Sequence, residues 1–67
     1  MANAFLTTDE LSALIQVPRR TLERWRQTGA GPAYRKLGRV VRYHQGELES
    51  WLESKRVAHT AEAKAVR

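Results

Sequence analysis

Apolar residues recur along this chain in three groups at helical spacing and one at strand spacing. In the first group Leu11, Leu14 and Ile15 form an i, i+3, i+4 stripe. Just before it, Thr7 and Glu10 have the S/T-x-x-E spacing of a capping box, with Leu6 and Leu11 at the staple positions. The pattern predicts a helix opening after Thr7, with Asp9 and Glu10 at the favourable end of its dipole. Val17 precedes a proline and is pushed out of the α region, so the helix ends within a residue or two of Ile15 and the next turn is short. This first helix reads as scaffold, its acidic start turned away from phosphate.

A second helix is predicted from Pro18, whose fixed φ suits a first helical position, to Thr28, with Gly29 as a left-handed C-cap. Leu22 and Trp25 sit three apart on its buried face. Trp25 at that spacing is a core residue rather than a base-stacking one. Arg19, Arg20, Glu23, Arg24 and Gln27 point away from the core. Two helices joined by a tight turn, the second rich in outward arginines, make a helix-turn-helix whose second helix suits a DNA major groove.

After the connector Ala30-Gly31-Pro32, two short runs flank Gly38-Arg39, a two-residue link with glycine first, as a type II′ hairpin prefers. The register pairs Leu37 with Val40, Lys36 with Val41, Arg35 with Arg42 and Tyr34 with Tyr43. One face then carries Tyr34, Val41 and Tyr43 and packs on the helices. The other sets Arg35 opposite Arg42, a destabilising like-charge pair that calls for a neutralising partner. A third helix opens at His44-Gln45-Gly46-Glu47, with Leu48, Trp51 and Leu52 buried and Glu47, Glu49 and Glu53 exposed. His44 is a helix-start residue or a phosphate contact rather than a metal ligand.

Composition narrows the function. A chain of 67 residues makes one small domain, which buries only about 60% of the surface its unfolded form exposes and has no room for a deep catalytic cleft. No nucleophile, base and oxyanion group are suggested together, so no catalysis and no cofactor are expected. Cysteine is absent and there are two histidines, too few for a metal cage. No leader pattern and no apolar run of roughly 18 residues is present, and a soluble cytoplasmic protein is expected. The domain is expected to span residues 1–56. The alanine-rich tail, 57–67, is a frayed helix extension, a short helix capped by Thr60, or disordered.

Charge is segregated along the chain. The net formal charge is −2 over residues 1–18, +7 over 19–42, −3 over 43–54 and +3 over 55–67. A basic block between acidic flanks is the pattern of a nucleic-acid-binding face, because phosphate neutralisation supplies most non-specific affinity; a solvated face that maintains solubility gives the same pattern. The candidate DNA contacts are Arg19, Arg20, Glu23, Arg24 and Gln27 on the second helix and Arg35, Lys36, Arg39 and Arg42 on the hairpin.

The succession TTDELSALIQV, TLERW (Thr21 to Trp25), YRKLGRVVRYH (Tyr34 to His44) and LESWL (Leu48 to Leu52) resembles the compact winged helix of bacteriophage excisionases and related MerR-like DNA-binding domains. The resemblance spans about Thr7 to Glu53. It implies a mainly α fold with a small β-hairpin, with Arg19, Arg20, Glu23 and Arg24 at the major groove and Arg39 at the adjacent minor groove. Many relatives carry a glycine in the turn and a serine opening the recognition helix, where this chain has Gln16 and Pro18. The implied role is a recombination directionality factor, which binds double-stranded DNA near an attachment site, bends it and steers an integrase toward excision. A small transcriptional regulator of the same fold is the alternative, and a protein-interaction module is a further one.

Charge segregation also leads us to expect several copies side by side on DNA. Acidic Glu47, Glu49 and Glu53 complement a basic tail bearing Lys55, Arg56, Lys64 and Arg67, and a head-to-tail contact of unlike patches does not close.

Overall fold

A computed structural model describes residues 4–57 as a winged helix-turn-helix. Its elements in order are β1 (Phe5–Leu6), α1 (Thr8–Ile15), α2 (Arg19–Thr28), β2 (Arg35–Leu37), β3 (Val40–His44) and α3 (Gln45–Ser54). The expected tail, including a cap at Thr60 and the cations Lys64 and Arg67, lies from residue 58 onward outside the described residues. Among the described residues no helix is long and apolar enough to cross a membrane.

The local signals act as expected at several points. Thr7 Oγ1 accepts from the Glu10 backbone N–H at 3.0 Å, while the Thr7 N–H donates to Glu10 Oε1 at 2.9 Å, which completes the capping box of α1. Gly29 closes α2 in the left-handed region at φ 77°. The hairpin pairs Arg35 with Arg42, Lys36 with Val41 and Leu37 with Val40, and Gly38 takes the positive φ, 67°, that the glycine-first link requires. His44 caps α3, its Nδ1 accepting from the Glu47 N–H at 3.3 Å.

Three expectations are corrected. Pro18 is the N-cap of α2 and not its first helical residue: its ψ of 144° is extended, and its carbonyl accepts from Thr21 and Leu22. Leu14 is 58% exposed and Leu52 39% exposed, because the core is too small to cover the full width of either predicted stripe. Buried Thr8 takes a place on the inner face of α1 instead.

One strand was not foreseen. β1 adds Phe5 opposite His44 and Leu6 opposite Tyr43, making a three-stranded antiparallel sheet of order β1-β3-β2. The Phe5 ring stands edge-on to His44 at 5.3 Å. The core is Leu11, Leu22, Tyr43 and Leu48, one residue from each helix plus β3. Leu6, Ile15, Val17, Trp25, Val41 and Trp51 pack around it. The two tryptophans meet at 5.8 Å between ring centroids and so link α2 to α3.

Candidate nucleic-acid interface

Leu22 is buried and Trp25 half-buried on the inner side of α2, which turns Arg20, Arg24 and Gln27 to the opposite side by helical spacing. All three are exposed. Arg19, at the first turn, is tied down within the molecule. Its Nε donates to Glu23 Oε2 at 3.0 Å and its Nη1 to Asp9 Oδ1 at 2.7 Å. The bond to Glu23, followed by that to Asp9, raises its pKa and holds it more firmly charged. The acidic start of α1, expected to lie apart from the binding face, therefore abuts the N-terminus of α2.

The hairpin lies beside α2. One cleft of about 350 Å³ brings Thr7, Asp9 and Arg19 together with Arg39 and Arg42. A second, of about 450 Å³, has Glu23 and Gln27 on one wall and Tyr34, Lys36 and Val41 on the other. The two clefts thus bring Arg19, Glu23 and Gln27 of α2 against Lys36, Arg39 and Arg42 of the hairpin, while Arg20 and Arg24 lie exposed on α2 outside both clefts.

Arg35 departs from this set. Its guanidinium makes a two-point ion pair with Glu47 of α3, Nη1 to Oε1 at 2.7 Å and Nη2 to Oε2 at 2.8 Å. The expected external partner for the Arg35–Arg42 pair is thus half replaced by an internal carboxylate. Arg42 donates to its neighbour's carbonyl, Val41 O, at 2.9 Å and meets no carboxylate among the described residues. The Arg35 hydrogen bond holds the Glu47 carboxyl below its ordinary value against the opposing effect of burial.

Sequence reasoning passed over Arg26. It is half-buried, its Nη1 donating to Tyr43 Oη at 2.8 Å and Thr8 Oγ1 at 3.3 Å, and its guanidinium carbon stands 5.8 Å from the centre of the Tyr34 ring. The signal was present: an arginine four residues after buried Leu22 falls on the inward stripe of the helix.

The turn shows the physical cost of one departure from the excisionase-like pattern. Gln16 sits in the left-handed region at φ 58° and ψ 42°, where glycine is the unstrained residue. Ser12 braces this turn by donating to Val17 O at 2.6 Å.

A family model described as a helix-turn-helix domain matches residues 5–56, which takes in all six elements. No curated protein matches the chain. In helix-turn-helix proteins the second helix docks in the major groove while the first crosses the backbone. The chain belongs to the helix-turn-helix domain family.

Proposed function

We propose that this protein binds duplex DNA with α2 in a major groove and the β2–β3 wing at the adjacent minor groove, and that it serves as an excisionase-type accessory factor that bends DNA and directs an integrase toward excision. The observation that carries the reading is that α2 and the wing share two clefts, Arg19 and Arg26 facing Arg39 and Arg42 in one and Gln27 facing Lys36 in the other, with Arg20 and Arg24 exposed on the outer face of α2. A face of that composition offers donors to phosphate and to guanine edges. Arg39, at the hairpin tip beside Gly38, suits the enhanced negative potential of a narrow minor groove. The helix-turn-helix family, which is found in excisionase-like proteins, supports the finer assignment. So does the succession of segments from TTDELSALIQV to LESWL.

A small domain covers only a short stretch of duplex, and bending 20 to 30 base pairs costs on the order of 1 to 6 kcal/mol. Several copies therefore act together in this reading. The charge pairs first considered for their contact are partly satisfied within one copy: Glu47 binds Arg35, and Glu53 lies 3.5 Å from Arg56. Exposed Glu49 and Lys55 remain for contacts between copies.

Footprinting and circular-permutation bending on a phage attachment-site fragment and on a promoter fragment test this role. Protection of repeated sites with bending on the attachment fragment supports it. Protection confined to the promoter assigns the protein to transcriptional regulation instead.

A further inference from the structure

We infer that Arg26 is a DNA phosphate anchor set in the seam between recognition helix and wing; this rests on the DNA-binding reading above. Arg26 belongs to α2, yet its guanidinium is fixed by three other parts of the chain. Thr8 at the start of α1 and Tyr43 of β3 accept from Nη1, and the Tyr34 ring lies beside it. Both clefts are lined by Arg26.

A guanidinium has five N–H donors, and only Nη1 is engaged among the described residues. Among the described residues no buried side-chain nitrogen or oxygen lacks a hydrogen-bond partner. Nε and Nη2 of this half-buried residue therefore reach solvent. Arg26 and Val41 are the residues common to both clefts. Among the described residues Arg26 forms no ion pair, in contrast to Arg19 and Arg35.

The sugar-phosphate strand that separates a major groove from its neighbouring minor groove must cross the line between an element in one and an element in the other. With α2 in the first and the wing in the second, that line is the seam Arg26 occupies. An arginine held in place before binding loses little side-chain freedom when it grips a phosphate. Its contact is to the backbone and so is independent of sequence. Tyr43 and Thr8 act through it as positioning residues.

The test uses the full chain and a duplex of 16 base pairs of arbitrary sequence at low salt. Arginine Nε–H signals of the wild-type protein are followed by NMR as duplex is added, and affinity is measured against salt for wild type, Arg26→Met and Arg26→Lys. The expected result is a shifted, exchange-protected Arg26 Nε–H, together with a salt slope lower by about one unit in Arg26→Met and largely kept in Arg26→Lys. If Arg24 and Arg39 signals shift and Arg26 does not, the inference is overturned while the DNA reading stands. If no arginine responds, the DNA reading itself fails. The wild-type titration decides the matter even where Arg26→Met does not fold.

Discussion

Arg35 and Glu47 meet through two hydrogen bonds of 2.7 and 2.8 Å and tie the wing to the first turn of α3. Because this contact lowers the carboxyl pKa of Glu47 from its ordinary 4.5, the sign of its pH dependence follows. The stabilisation is fully present above the ordinary value and is lost as pH falls through the lower folded-state value. Thermal unfolding of wild type and Arg35→Ala across the acid range checks this. The two melting temperatures should converge as Glu47 becomes protonated, whereas a constant gap down to the lowest pH would deny the pair its role.

Gln16 provides a second prediction. Its left-handed backbone, φ 58°, costs an L-residue roughly 1–2 kcal/mol, part of which glycine recovers, less the entropy it adds to the unfolded chain. Gln16→Gly should stabilise the domain by about 1 kcal/mol, or about 4 to 8 °C in melting temperature. A lower melting temperature would show that the side chain has a role in the turn.

Gly31 bears on the tryptophans. A Cβ there would lie 3.0 Å from both Cβ and Cε3 of Trp25, so Gly31→Ala should cost about 1–3 kcal/mol by overpacking. Trp25→Ala and Trp51→Ala should each cost about 3 kcal/mol, the low end for a tryptophan because both are half-buried. That is enough to unfold much of a domain this small. Circular dichroism melts measure all three, and a well-folded Trp25→Ala protein that had lost only DNA binding would make Trp25 a base-contacting residue.

Signals held within one turn of chain were legible in the sequence. Thr7 and Glu10, Gly29, and Gly38-Arg39 with its register all carry their structural meaning in their nearest neighbours. Stripe width was not legible: periodicity marks the direction of Leu14 and Leu52 but not how far a small core extends. β1 escaped because Phe5-Leu6 is too short to show alternation and is defined only by pairing with Tyr43 and His44. At the candidate site, the arginine-bearing face of α2 was readable from helical spacing. The fates of individual arginines were not, since Arg19 meets Asp9 ten residues away, Arg26 meets Tyr43 seventeen away and Arg35 meets Glu47 twelve away.

The salt dependence of duplex affinity, measured for wild type, Arg20→Ala, Arg24→Ala, Arg39→Ala and Arg35→Ala, tests the proposed interface most directly. The account predicts a linear fall of log affinity with log salt for wild type. Each of the first three variants should lower the slope by about one unit where the arginine holds phosphate, or relax specificity by about 1–3 kcal/mol where it reads a base. Arg35→Ala, whose guanidinium is committed to Glu47, should leave the slope unchanged. Unaltered affinity, slope and specificity in Arg20→Ala, Arg24→Ala and Arg39→Ala would contradict the assignment of α2 and the wing to DNA.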